Sequence, residues 1–202
     1  MADTQLLKQW VNPLYLLPET ITQAQKTFNS HKHIRSIQLG QFFLAEKAEK
    51  IRKTLEKCSW NHAYIPHMYS YAILTNEKPL KEFYALLSSP GFKSLVGTML
   101  KKQIKTVQPH ALCFCHKDYT LLHDTIEERD YILCTFDFTK EWPENAAAQM
   151  IFTYPETDPL IFSTMFNAVN IVHITNDVHS FVKYVNCNAG KKKKFLIEVN
   201  ME

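Results

Sequence analysis

A chain of 202 residues, 46% apolar and 21% charged, is long enough to bury one sizeable core, and its composition suggests neither disorder nor a membrane class. The formal net charge of +3 rests largely on Lys191–Lys194 and on Lys101, Lys102 and Lys105. No aromatic side chains interleave these lysines, so they read as solvated faces, and no nucleic-acid partner is expected.

The segment from Leu6 to Leu17 is apolar and proline-bounded, and Pro18-Glu19-Thr20 opens a helix that turns Ile21, Ala24 and Phe28 inward. His31 and His33 fall in a polar turn, and Ile34 to Leu39 reads as an incoming strand. Phe42 to Lys57 has the helical period, with Phe43, Ala48, Ile51 and Leu55 on one side and lysine, arginine and glutamate around the rest. Trp60 to Leu74 is aromatic and β-leaning. Pro79 opens a helix through Leu87, Pro90-Gly91-Phe92 breaks it, and Phe92 to Lys105 is helical again. Pro109 ends this half, and from Leu112 the period falls to two. Short alternating runs then follow to Ile197, which is the rhythm of an antiparallel sheet closed into a barrel or sandwich. The expectation is one α+β domain over residues 1–202, with helical support in 1–110 and a β core in 111–200.

Several chemistries are excluded. Neither G-x-G-x-x-G nor G-x-x-x-x-G-K occurs. The five cysteines include Cys113 and Cys115 in C-x-C spacing with no second pair to complete a zinc site, so they read as reduced thiols. No basic leader with an apolar core begins the chain and no apolar run is long enough to span a bilayer, so the expected location is the cytosol, away from membranes.

The second half carries Leu121-Leu122-His123, Trp142, Ala147-Ala148-Gln149-Met150, Phe166-Asn167, Val182, Val185 and Lys194 in order. This series resembles the double-stranded β-helix of the 2-oxoglutarate/Fe(II)-dependent oxygenases, in the prolyl-hydroxylase branch that includes the ribosomal-protein prolyl hydroxylases. The Phe42-Phe43 helix start and the Ser89-Pro90-Gly91-Phe92 break also resemble that branch, so the likeness covers nearly the whole chain. It implies a jelly-roll barrel with a ferrous ion held by two histidines and an aspartate, and a basic residue gripping 2-oxoglutarate.

Ferrous iron is a weakly held divalent ion and needs three good ligands on one face. The resemblance places the first at His123, but the aspartate position two residues on is Thr125. Asp124 is adjacent and so leaves a strand on the opposite face. The second histidine position is Ser180, with His179 displaced by one residue and reachable only through a bulge. Lys194 stands at the oxoglutarate position, where a lysine lacks the bidentate fork of arginine. A rival set, His116, Asp118 and His173, contains a literal H-x-D. His173 follows His116 at the same separation as Ser180 follows His123, but this register discards the framework matches together.

Two functions are therefore expected in order. The first is a degenerate hydroxylase, without a cofactor, that binds a protein or peptide partner or a small dicarboxylate near His123, Thr125, Ser180 and Lys194. The alternative is an active peptidyl (prolyl) hydroxylase using Fe(II) and 2-oxoglutarate with displaced ligands.

Overall fold

The computed structural model describes residues 2–121 and 130–202. Among these, an eight-stranded sheet and a three-stranded sheet enclose a barrel, and helices cover the outer face of the larger one. The helices are α1 (Ala2–Trp10), α2 (Pro18–Phe28), α3 (Ala45–Lys57), α4 (Lys81–Ser88) and α5 (Pro90–Leu100). The strands are β1 (Ser36–Leu39), β2 (Asn61–Ile65), β3 (Tyr69–Ile73), β4 (Val107–Phe114), β5 (Tyr119–Thr120) and β6 (Asp130–Asp137). They continue with β7 (Met150–Thr153), β8 (Leu160–Phe162), β9 (Ala168–Thr175), β10 (His179–Val182) and β11 (Lys194–Met201).

The large sheet runs β1-β9-β6-β11-β4-β3-β2, with β5 beside β3, and the small sheet runs β10-β7-β8. Its central ladders are antiparallel and unbroken, with Leu196 opposite both Leu112 and Asp137. The half before residue 110 therefore contributes strands as well as support: β1 closes one flank of the sheet, and the β2–β3 hairpin extends the other.

Period-two alternation divides the core in two. On the outer face Ile132, Cys134, Phe136, Val169, Ile171, Ile197 and Val199 meet Phe28, Ile51, Leu55, Phe83, Leu87, Phe92 and Val96 of the helices. On the inner face Leu112, Phe114, Leu133, Val172 and Leu196 meet Met150, Phe152, Phe162 and Val182 of the small sheet.

Local chemistry sets the boundaries. Ser89 ends α4 and caps α5, its hydroxyl accepting from the Phe92 amide at 3.2 Å, with Pro90 at the first helical position. Lys101 closes α5 in the left-handed conformation. Pro109 does not terminate the helical half but lies inside β4, opposite Val199. It is tolerated because β3 reaches β4 only at Leu112 and Cys113, leaving Pro109 with a neighbour on one side.

The Phe166-Asn167 pair has a clear structural role. Asn167 sits at φ 61°, a conformation that asparagine tolerates. Its side chain donates to the Phe43 carbonyl at 2.8 Å and accepts from the Phe43 amide at 3.0 Å, while its carbonyl takes the Phe42 amide at 2.9 Å. A buried amide thus acts as one more strand residue and fastens the Phe42-Phe43 segment to the start of β9. Asn167→Ala should destabilise the protein by about 3 kcal/mol, from two orphaned backbone groups and a strained alanine, in a urea titration. A loss below about 1 kcal/mol would show that the clip carries no weight.

Candidate functional site at the barrel mouth

A cleft of about 460 Å³ opens where the β3 and β4 side of the large sheet faces the small sheet. Its floor is Leu112, Met150 and Val182, all buried. Tyr69, Tyr71 and Ile73, which share one face of β3, form a wall, with the two tyrosine rings 5.0 Å apart. Thr120 and Ser180 bring hydroxyls, and His110 and Glu198 are the only acidic or basic side chains among the described lining residues.

The direction of each side chain follows from strand register. In β10, His179, Ser180, Phe181 and Val182 pair consecutively with Thr153, Phe152, Ile151 and Met150, without a bulge. Val182 is 2% exposed in the barrel core, so Ser180 shares the inner face and His179 leaves on the other. The Val182 amide donates to Thr120 Oγ1 at 2.7 Å, joining β10 to β5. His123 and Thr125 lie outside the described residues.

On β11 the inner face carries Lys194, Leu196 and Glu198. Lys194 is the exception in the four-lysine run: Lys191, Lys192 and Lys193 are exposed, whereas Lys194 is 2% exposed. Its Nζ donates to the Ala148 carbonyl at 2.9 Å and to Thr164 Oγ1 at 2.7 Å, and lies 3.9 Å from Asp137 Oδ2. Asp137, itself buried, accepts from the Thr139 amide at 2.8 Å and the Met165 amide at 3.2 Å. Burial raises the Asp137 carboxyl and lowers the Lys194 ammonium, each opposed by the partner's charge. The ammonium does not line the cleft.

Glu198 lies four residues along the strand, roughly 13 Å from Lys194. It stands opposite His110 on β4 and Thr135 on β6. No hydrogen bond or ion pair to its carboxylate is found among the described residues, and burial pushes it up to about 7. Neighbouring Tyr71 is raised in turn by its own burial, by Tyr69 and by Glu198.

The rival set does not assemble. His116 lies in an exposed turn. Asp118 is buried there, accepting from Ser70 Oγ at 2.6 Å and from the Cys115 amide at 2.7 Å, with His62 Nε2 3.7 Å away. His173 is on the helix-facing side of β9, its Nε2 2.6 Å from Asp130 Oδ1 and 2.9 Å from Lys102 Nζ. His173 first and then Lys102, whose Nζ donates to Asp130 Oδ1 at 2.8 Å, hold Asp130 down to about 2, while burial lowers His173 itself. Among the described residues no three His, Cys, Asp or Glu side chains are grouped so as to hold a metal ion.

The framework positions explain themselves better. Trp142 Nε1 donates to the Ala147 carbonyl at 2.9 Å. Ala147 and Ala148 have φ 64° and 63°, backbone conformations that suit glycine better than alanine. Replacing both with glycine should raise stability by about 1 kcal/mol, read as a rise in Tm, as relief of Cβ strain outweighs the added freedom of the unfolded chain. A fall in Tm would contradict this.

Sequence reasoning reached Ser180, His179, Lys194 and, within the aromatic Trp60–Tyr71 stretch, Tyr69 and Tyr71, but missed Glu198 and His110. The signal for Glu198 was present: counting by two from Lys194 through Leu196 places it on the inner face.

The fold and the arrangement around the mouth define a double-stranded β-helix of the 2-oxoglutarate/Fe(II) oxygenase type, in its prolyl-hydroxylase form. Residues 2–202 match the family described as oxoglutarate and iron-dependent oxygenase degradation C-term, and the chain belongs to that family. A Trichoplax adhaerens prolyl hydroxylase, solved in complex with a hypoxia inducible factor oxygen degradation domain peptide fragment, is similar with TM-score 0.71 at 9% identity, over 91% of this chain and 89% of that one. A Pseudomonas putida prolyl-4-hydroxylase gives 0.67 at 9% identity, over 90% and 98%. A Burkholderia pseudomallei oxidoreductase of the 2OG-Fe(II) oxygenase family gives 0.68 at 10% identity, over 90% and 89%. No curated protein matches the chain. No helix among the described residues is long and apolar enough to cross a membrane.

Proposed function

We propose that this chain is a non-catalytic binding domain built on the prolyl-hydroxylase fold, and that it acts in the cytosol by holding a polypeptide partner. The observation that carries the reading is the inward side chain of β10: a serine hydroxyl, with the neighbouring imidazole directed away. A hydroxyl is a poor ligand for ferrous iron, and Thr125 offers another where a carboxylate is needed.

The residues present do not fit 2-oxoglutarate either. Lys194 donates to the Ala148 carbonyl and Thr164 Oγ1 and faces the Asp137 carboxylate, and the cleft presents the Glu198 carboxylate, which would repel a dicarboxylate. A peptide suits the cleft better, since it is open and lined by tyrosines. The peptide seen with the Trichoplax enzyme and the family's description as a degradation domain both point toward protein contacts.

Titration of the purified chain with Mn(II), or with Fe(II) under argon, should show no stoichiometric binding. Adding 2-oxoglutarate should leave Tm within about 1 °C and yield no succinate. Stoichiometric metal that is lost on His179→Ala, or measurable oxoglutarate turnover, would overturn the reading.

A further inference from the structure

We propose that the barrel-mouth cleft is a receptor for the ammonium group of a lysine side chain presented by the partner polypeptide. The inference rests on the non-catalytic reading and deepens it by naming what the emptied site recognises.

Three features at the cleft converge on that chemistry. First, Glu198 is an acid on the inner face of a barrel strand, and neither His110 nor Thr135, its cross-strand neighbours, bonds to it. A half-buried carboxylate without a partner is costly, and a cation that pairs with it recovers much of that cost. Second, the Tyr69 and Tyr71 rings form the wall beside Glu198, with Tyr71 close enough to sense its charge. Tyrosine faces attract an ammonium and pack against its methylene stem. Third, the hydroxyls of Ser180 and Thr120 complete the lining. Thr120 Oγ1 already accepts from the Val182 amide and keeps a second lone pair.

An ammonium is a compact charge that a single carboxylate can pair, and the hydroxyls of Ser180 and Thr120, farther along the cleft, are left to the flanking backbone. A guanidinium needs five acceptors arranged in a plane around a fork, and the cleft offers a single carboxylate. The volume, about 460 Å³, suits one long side chain with a little flanking backbone, not a folded surface. The exposed turn of the β2–β3 hairpin, where Met68 also lines the cleft, gives that backbone a route in.

The test uses the full chain and three capped amino acids, N-acetyl-lysine, N-acetyl-arginine and N-acetyl-norleucine methylamides, followed by NMR shift titration. Capped lysine should bind at least 5-fold more tightly than norleucine, its neutral counterpart, and more tightly than arginine. Glu198→Gln should remove that preference while Tyr71→Ala weakens lysine binding several-fold. Equal affinity for lysine and norleucine, arginine binding as tight as lysine, or an unchanged preference in Glu198→Gln would each overturn the proposal. A metal-free chain that ignores capped lysine defeats this inference alone, whereas oxoglutarate turnover defeats the non-catalytic reading whatever the lysine titration gives.

Discussion

Lys194→Met should destabilise the protein by about 3–5 kcal/mol, lowering Tm by roughly 10 °C, because the ammonium it removes donates to the Ala148 carbonyl and Thr164 Oγ1 and offsets the buried Asp137 charge. The Ala148 carbonyl and the half-buried Thr164 hydroxyl would lose a donor, and the buried Asp137 carboxylate would lose its neighbouring positive charge. The loss should be partly recovered by pairing the change with Asp137→Asn, which removes the carboxylate while leaving an oxygen for the Thr139 amide. A double-mutant cycle in urea should give a coupling of about 1–3 kcal/mol. If Lys194 were instead a free ligand-gripping cation, the single change would alter stability by no more than about 0.5 kcal/mol, the usual range for a surface substitution.

Glu198→Gln should have the opposite sign at neutral pH and above. The folded carboxyl is held at about 7 and an ordinary glutamate lies at 4.5, so the native state binds more protons than the unfolded chain between those values. Stability therefore falls as pH rises through that window and is lowest above it. Each tenfold change in proton affinity corresponds to about 1.4 kcal/mol, and allowing for water reaching the carboxylate through the cleft, the total is about 2 kcal/mol. Glutamine removes the charge without changing the shape. At pH 8 the variant should be about 2 kcal/mol more stable than the parent, roughly 4–8 °C in Tm, and near parity at pH 4. The difference between the two profiles isolates Glu198 from Asp137, whose carboxyl is also raised by burial. Parallel profiles would mean that Glu198 is solvated and paired like any surface acid.

Much of the architecture was readable from the chain because its patterns are local. The Ala48, Ile51, Leu55 spacing gave α3, Ser89-Pro90-Gly91 gave the α4–α5 break, and alternation from Leu112 gave the barrel strands. Pro109 misled because its place in β4 depends on how far β3 extends, which is a fact of pairing and not of local sequence. The same distinction holds at the site. That Ser180 and His179 leave β10 on opposite sides follows from alternation alone. That Lys194 is buried depends on Thr164, Ala148 and Asp137, which lie far away in sequence and meet it only through the closure of the barrel. Three neighbouring lysines in solvent made the fourth look like one of them.

Strand β11 holds a sealed cation near its start and, four positions later, an acid with no partner among the described residues, both aimed into the barrel. On the non-catalytic reading, an anion receptor here would need the first freed, the second removed and an imidazole in place of Ser180, and none of these changes alone supplies it. Lys194 freed without the other changes only loosens the core, and Ser180→His alone places a second titratable group beside an acid. On the non-catalytic reading, therefore, no single substitution turns this mouth into an anion-gripping oxygenase site.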